Sequence, residues 1–252
     1  MSPQASIQRL WPLLINLMLL GCSTLPRPQD EVLPAKQPKA MAVKAGAEGP
    51  IDVYDPWQGF NRAMYYFNAH FDDYVALPVV RAYERVTPDF IEERISNFFA
   101  NVSDTRNLLN ALLQLKFAVS TRTLARLLIN TTVGIGGLWD HATGWGFPPQ
   151  REDFGQTLGY YGLGAGPYLV LPFFGPSTLR DTVGLVADAA VFYGIDPFAF
   201  SEHTGAGAAY TSLNAVDTRH RIEFRYYQTG SPFEYDLVRF FYVRTRRLEI
   251  RR

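Results

Sequence analysis

The chain has 252 residues, with 24 basic and 24 acidic side chains and a formal net charge of zero. This balance excludes the broad electrostatic attraction on which nucleic-acid binding depends, and a single cysteine excludes an intrachain disulfide. Aromatic residues make up 14% of the chain and charged residues 19%, whereas soluble domains usually carry about 25% charged residues. The composition therefore favours an apolar partner.

The first 22 residues resemble a bacterial lipoprotein targeting segment. Arg9 precedes a short apolar run over residues 10–20, and a bilayer span needs about 20 such residues. Residues 19–22 read Leu-Leu-Gly-Cys and resemble a lipobox, whose cysteine receives a diacylglyceryl group. We expect a signal peptide over 1–21 and a lipidated Cys22; the alternative is an ordinary signal peptide with an incidental thiol. Ser23 favours the outer membrane by resemblance to lipoprotein sorting rules.

Residues 22–54 are predicted to form a flexible tether behind the lipid anchor. The segment contains several prolines with scattered lysine, alanine and glycine, and it shows little hydrophobic periodicity. The alternative is a packed loop. A folded domain over 55–247 and a basic tail over 248–252 complete the predicted organisation.

The rest of the chain shows helical rather than strand periodicity. We predict helices that begin near Asp55, Thr87, Asp104 and Thr121, and further helices over 181–194, over 208–227 and after Pro232. The first helix should end at Leu77-Pro78. Strand alternation is visible only at Tyr168–Leu171, so the predicted fold class is all-α. We expect most apolar stripes to form the core, with no simple transmembrane helix.

Glycine and aromatic residues concentrate between Val133 and Arg180. This stretch holds 11 of the 20 glycines together with several large rings. Glycine permits tight turns and close approach of the backbone to a neighbour or ligand. We therefore expect an ordered backbone that lines an apolar surface.

Several motifs resemble the MlaA/VacJ family of outer-membrane lipoproteins. Residues 55–62 read DPWQGFNR, the first of these motifs. SNF at 96–98, FGQTLG at 154–159 and GAGPYLVLPFFGPSTLRD at 164–181 follow in the family's order. The resemblance is dense from Asp55 to about Phe198 and weaker beyond.

The resemblance implies a ring-like helical body around a central amphipathic channel, embedded in the inner leaflet of a Gram-negative outer membrane. It implies that phospholipids stranded in the outer leaflet are extracted and passed to the periplasm. The implied partners are trimeric porins and a soluble periplasmic lipid carrier. No cofactor is implied beyond the acyl groups on Cys22 and the transported phospholipid.

A phospholipid that crosses a protein needs an apolar wall for its chains and polar groups for its phosphate. The candidate wall residues are Leu138, Trp139, Phe147, Tyr160, Tyr161 and Leu163, with Gly162, Gly164 and Gly166 allowing close approach. The candidate phosphate contacts are Arg122, Arg126 and Arg151, because guanidinium groups suit phosphate. Core packing remains the alternative for each aromatic residue, and a solvated face or a salt bridge for each arginine.

Two other classes of function compete with lipid transport. A lipase would need a nucleophile elbow, but the nearest match, GPSTL at 175–179, lacks the second glycine. A structural lipoprotein would scaffold porins without moving lipid. The isolated histidines His70, His141, His203 and His220 offer no metal-binding spacing. Clustered C-terminal arginines suit anionic headgroups, an acidic partner or a solvated tail.

Overall fold

The computed structural model describes residues 53–195, 198–199 and 204–251. The predicted signal peptide, Cys22, nearly all of the tether and His203 lie outside these residues. The described part is mostly helical, with one β-hairpin. Its helices are α1 (Gln58–Phe71), α2 (Leu77–Val86), α3 (Asp89–Leu113), α4 (Phe117–Thr132), α5 (His141–Gly144), α6 (Phe154–Tyr160), α7 (Leu179–Ile195), α8 (Thr204–His220) and α9 (Glu234–Arg251), and its strands are β1 (Tyr168–Leu171) and β2 (Gly175–Thr178).

A π-helical turn, Asp72–Ala76, connects helices α1 and α2 without a break. The predicted helix end at Leu77-Pro78 is wrong, because Pro78 lies in the first turn of α2. Proline is tolerated in the first turn of a helix, and here the π-helical turn before it is where the hydrogen-bond pattern changes, with the Leu77 N–H donating to the Asp72 carbonyl. The chain therefore stays helical from Gln58 to Val86.

Asp55 does not cap α1 with its side chain. The helix begins after Trp57, which makes no side-chain cap. The Asp55 carboxylate instead accepts hydrogen bonds from Asn61 Nδ2 at 2.7 Å, the Tyr235 hydroxyl at 2.5 Å and Arg239 Nη1 at 2.9 Å. Asp55, at the start of the domain, is thus joined to α9, the last helix of the domain.

Helix α3 spans 25 residues and replaces two predicted helices. Asp104, expected to cap the second of them, lies inside α3 and is only 2% exposed. Its carboxylate accepts a hydrogen bond from Arg126 Nε of α4 at 2.8 Å. An aspartate that resembled a helix start is therefore an internal ion-pair partner between two packed helices.

The predicted strand Tyr168–Leu171 is confirmed, and it pairs antiparallel with β2. Two asparagines of α1 satisfy backbone groups of β1 and the turn that follows. Asn61 donates to the Tyr168 carbonyl at 3.0 Å and accepts from Val170 N at 2.8 Å. Asn68 does the same with the Leu171 carbonyl and Phe173 N, at 2.9 and 2.8 Å. The two side-chain amides thus take the place of a neighbouring strand, which explains the presence of Asn61 in the DPWQGFNR motif.

The interior is polar and much of the exterior is apolar. Among the described residues, 23 polar or charged residues are buried and only 11 hydrophobic ones are. The expectation that apolar stripes form the core is wrong for α1 and the π-helical turn after it, where Phe60 is 52% and Tyr74 76% exposed. It also fails for α4, where Leu128 faces outward while Arg126 and Asn130 are buried. Such a surface is unfavourable in water and favourable in an apolar medium.

Helices α6, α7 and α9 pack closely around a second group of charges. A Cβ added to Gly184 of α7 would lie 2.3 Å from the backbone nitrogen of Gly155 in α6, so only glycine permits this crossing. Arg246 of α9 reaches Asp153 at 2.7 Å and Asp181 at 3.1 Å. The predicted boundary at residue 247 falls inside α9, which continues to Arg251.

None of the described helices is both long enough and apolar enough to cross a membrane.

Candidate functional site

The first half of the glycine-rich stretch, residues 133–147, is held by one buried arginine. Arg126 of α4 is 2% exposed. Its guanidinium binds Asp104 through Nε and Asp140 through Nη1 and Nη2, at 2.8 to 3.0 Å. Nη1 also donates to the Thr143 hydroxyl at 2.7 Å and to the Phe147 carbonyl at 3.1 Å. The side chain therefore fixes both ends of the short helix α5.

The two carboxylates around Arg126 respond differently to their surroundings. Burial raises the pKa of Asp104, although Arg126 and Asn107 oppose that rise. Burial also acts to raise the pKa of Asp140, but hydrogen bonds from Arg126, Thr143 and Asn130 outweigh it and lower the pKa to about 2. Asp140 is thus the carboxylate whose charge the site stabilises most strongly.

The three candidate phosphate contacts lie in different environments. Arg126 has its donors engaged by protein groups, so it is a structural ion pair and not an available phosphate ligand. Arg122, one turn earlier on α4, is exposed. Arg151 is exposed and lines a cleft of about 200 Å³ with Gln156, Glu249 and other residues of the adjoining segments. Of the three, only Arg122 and Arg151 are therefore accessible to a phosphate from outside the protein.

The glycines also divide into two groups. In the first half, a Cβ on Gly134 would lie 2.2 Å from the Trp139 carbonyl oxygen, and one on Gly137 would lie 2.5 Å from Asn101 Cβ. In the second half, Gly162 and Gly164 have no atom within 4 Å of an added Cβ. Gly166 is close only to Leu179. Gly134 and Gly137 thus admit other parts of the protein, whereas Gly162 and Gly164 face open space, as do Gly136, Gly144 and Gly146.

Three candidate wall residues follow α6 or end it, and all three face outward. Tyr160 is 44%, Tyr161 65% and Leu163 52% exposed. The two tyrosine rings meet edge to face at 5.3 Å, and the Tyr161 hydroxyl donates to the Leu113 carbonyl at 2.6 Å. Residues 160–166 therefore form a mostly exposed segment, which the Tyr161 hydroxyl joins to α3. We call residues 160–166 the open segment.

The other candidate wall residues belong to the part held by Arg126. Trp139 is 37% exposed, and the guanidinium of Arg94 lies 4.9 Å from its ring centroid. Leu138 is partly buried, and its carbonyl accepts hydrogen bonds from Arg94 and Asn97. Phe147 is also partly buried. All three residues lie within 133–147, the part of the chain that Arg126 binds. We call residues 133–147 the held segment.

The Arg246 ion-pair group was not predicted from the sequence. Burial acts to lower the pKa of Arg246, but the hydrogen bonds that it donates to Asp153 and Asp181 outweigh this effect, and the pKa rises above its usual range. The same contact with Arg246 lowers the pKa of both aspartates against the effect of burial. The seven-residue spacing of Arg239 and Arg246 places both on one helix face. This spacing is the feature of the sequence that could have indicated a row of buried arginines on α9.

The residues considered for other chemistry have structural contacts. Ser177 is 5% exposed, and its hydroxyl contacts the Thr178 carbonyl and the Thr182 hydroxyl. His220 contacts Glu84 and Glu92, and His141 stacks loosely on Trp145. Within the described ranges, no group of three potential metal ligands comes together.

These features define a class of protein: a helical domain with an ion-paired polar interior and an apolar outer surface. The chain belongs to the MlaA lipoprotein family, whose family model matches residues 53–249. The resemblance found in the sequence motifs is thereby confirmed.

Individual relatives agree with this assignment. An uncharacterised protein of Rickettsia prowazekii is 39% identical over 174 residues, which cover 69% of this chain and 68% of the relative. The intermembrane phospholipid transport system lipoprotein MlaA of Escherichia coli K12 is 41% identical over 139 residues. That match covers 53% of this chain and 55% of the Escherichia coli protein.

A solved structure is also similar to this chain. It comes from work on the structural basis for maintenance of bacterial outer membrane lipid asymmetry. The two share 29% identity and a TM-score of 0.63, over 79% of this chain and all of the other. The compact, mostly helical fold is therefore that of the family.

Proposed function

We propose that this protein is an outer-membrane lipoprotein that removes mislocalised phospholipids from the outer leaflet and passes them to a soluble periplasmic carrier. Membership of the MlaA lipoprotein family supports the proposal, as do relatives named for intermembrane phospholipid transport. The observation that carries it is the inverted distribution of polarity, with paired charges inside and apolar side chains outside.

The proposed location is the periplasm-facing inner leaflet, with Cys22 carrying the lipid anchor. Burial of an apolar side chain is worth roughly 1.5–3 kcal/mol, so the exposed rings and aliphatic chains gain much by entering lipid. Acyl chains contribute about 0.8 kcal/mol per buried methylene, and several chains make a lasting anchor. Together the two contributions hold the domain at one leaflet without a spanning helix.

The open segment is the proposed apolar wall along which lipid chains move. Its exposed residues Tyr160, Tyr161 and Leu163 offer apolar area, and Gly162 and Gly164 leave room beside the backbone. Arg122 and Arg151 stay candidates for phosphate contact, because both are exposed. The transported phospholipid is the only ligand the proposal requires.

The proposed step is physical and not covalent. A phospholipid in the wrong leaflet lies at a higher free energy than one on a carrier, so transfer runs downhill once a polar route exists for its headgroup. Trimeric porins are proposed as partners that hold the protein at the membrane. An enzymatic role is not part of the proposal.

The experiment measures phospholipid exposed on the surface of cells that lack the gene, before and after complementation. Wild-type protein should restore asymmetry, and Tyr161→Lys should fail because the ammonium group would have to lose its water where acyl chains pass. Glu223→Lys is the control for a lysine at an exposed position, since Glu223 is a polar surface residue outside the open segment. Equal amounts of folded protein are verified by limited proteolysis of membranes.

Full restoration by Tyr161→Lys would remove the open segment from the lipid pathway. If purified wild-type protein also moved no phospholipid between vesicles and carrier, a porin scaffold would be the better description. Release of free fatty acid dependent on Ser177 would instead indicate a hydrolase.

A further inference from the structure

Helix α9 carries two populations of arginine. On its inner face, Arg239 binds Asp55 and Asp236, and Arg246 binds Asp153, Asp181 and Glu249. The outer-face arginines are Arg244, Arg247 and Arg251, and all three are exposed. Within the described residues, no carboxylate forms an ion pair with any of these three.

The unpaired arginines share their face with apolar side chains. At 100° per residue, they fall within an arc of about 120° together with Leu237, Phe240, Phe241 and Leu248. Phe241 is 61% and Leu248 65% exposed, and the Arg244 guanidinium lies 5.3 Å from the centroid of the Phe240 ring. The face is therefore both apolar and cationic.

The two characters are separated along the helix axis. The first half of the face carries Leu237, Phe240 and Phe241, and the second half carries the three arginines over about 10 Å, with Leu248 between them. Arginine keeps its charged head at a membrane interface while its stem covers apolar surface. A helix of this kind inserts its apolar half among acyl chains and leaves its basic half among headgroups.

The carboxylates of α9 cannot neutralise this face. Glu234 accepts hydrogen bonds from the Tyr65 hydroxyl, and Asp236 accepts from Arg62. Glu249 is bound by Arg246. Each acidic group of the helix therefore has its partner away from the outer arginines, which leaves three adjacent positive charges without compensation.

We propose that the outer face of α9 binds the anionic headgroups of phospholipids in the leaflet that holds the domain. Each arginine offers a planar set of donors to a phosphate, and each basic group near an anionic surface adds to the attraction. The apolar half of the same face continues the exposed apolar surface of the domain. The inference rests on the membrane location in the proposed function, and it adds a preference for anionic lipid.

The test uses the purified full-length protein in dodecyl maltoside and follows its thermal unfolding midpoint. Didecanoyl phosphatidylglycerol and didecanoyl phosphatidylcholine are added in separate titrations, so that only the headgroup differs. Wild-type protein should reach a midpoint about 3 °C or more higher with phosphatidylglycerol. The difference should shrink at 1 M salt, where the screening length falls to about 3 Å.

The decisive variant is Arg247→Gln combined with Arg251→Gln, which should lose most of the difference between the two lipids. The matched control is Arg81→Gln combined with Arg85→Gln, also two exposed arginines four residues apart on a helix, and it should keep the difference. The inference is overturned if the α9 variant keeps the wild-type preference or if the wild type has none.

A vesicle-to-carrier transfer assay separates this inference from the proposed function. Wild-type protein that transfers phospholipid but shows no headgroup preference would overturn the role of α9 alone. Wild-type protein that transfers no phospholipid would overturn the proposed function, whatever the outcome of the titrations.

Discussion

The held segment (133–147) and the open segment (160–166) look alike in sequence and differ in structure. Both mix glycine with large rings, but Gly137 faces Asn101 at 2.5 Å from its potential Cβ, whereas Gly164 faces open space. Arg126 binds the first segment at Asp140, Thr143 and Phe147. The difference shows that glycine-rich composition alone does not separate a packed turn from a surface open to a ligand.

The largest effect is expected from removing the arginine that fixes the held segment. Arg126→Leu should cost about 3–5 kcal/mol of unfolding free energy, because Asp104 and Asp140 would be left without their buried counter-charge. Arg122→Leu, an exposed position on the same helix, should change it by no more than about 0.5 kcal/mol. Denaturant unfolding in detergent measures both, and equal effects would contradict the role given to Arg126.

The next effect compares a glycine from each segment. Gly137 has a φ of +91° and no room for a Cβ, so Gly137→Ala should destabilise by about 2–3 kcal/mol. Gly164→Ala should stay within about 0.5 kcal/mol of wild type. Thermal unfolding midpoints measured in the same detergent test both values. A Gly137→Ala variant with the midpoint of the wild type would show that the backbone at residue 137 can adjust to a Cβ.

A smaller effect concerns the dependence of folding stability on pH. It arises in the held segment, which contains the carboxylate of Asp140. The folded pKa of Asp140 is about 2, below its value of about 3.9 in an unfolded chain. The unfolded state therefore binds more protons between these values, and stability is present above about pH 4 and lost as pH falls toward 2. Asp140→Asn should flatten this acid limb of the stability curve, although Asp153 and Asp181 act in the same direction. An unchanged slope would contradict the assignment to Asp140.

The smallest effect belongs to the open segment itself. Tyr161→Phe removes a hydroxyl that donates to the Leu113 carbonyl at 2.6 Å, and a single hydrogen bond contributes about 0.5–1.5 kcal/mol. We expect the lower end because Tyr161 is 65% exposed. Tyr160→Phe serves as the control for removing a phenolic hydroxyl. A loss of unfolding free energy above about 1.5 kcal/mol would mean that the open segment is fixed to the domain as firmly as the held segment.

Helical periodicity predicted the class of fold and the position of most helices, and alternation predicted β1. It did not predict which side of each helix lies inside. A stripe such as Trp57, Phe60 and Phe67 is assigned to the core by default, because in water burial is what stabilises it. In an apolar medium the same stripe belongs outside, and the helical period is identical in both cases.

The candidate site was predicted in part. Tyr160, Tyr161 and Leu163 were identified from their neighbouring glycines and do face outward. Arg126 was a candidate phosphate contact with a salt bridge as the alternative, and the structure shows the salt bridge, to Asp104 22 residues earlier in the chain. The spacing of Arg239 and Arg246 indicates a shared helix face, but no local pattern names partners as distant in sequence as Asp153 and Asp181.

The most direct measurement of the central claim is photo-crosslinking of the protein to phospholipid in living cells. Benzoylphenylalanine is placed at Tyr161 and at Leu163 in the open segment, and at the exposed polar position Arg85 as a control. We predict adducts with radiolabelled phospholipid at both positions of the open segment and none at Arg85. Absence of phospholipid adducts at Tyr161 and Leu163, in protein that is folded and membrane-bound, would contradict the account.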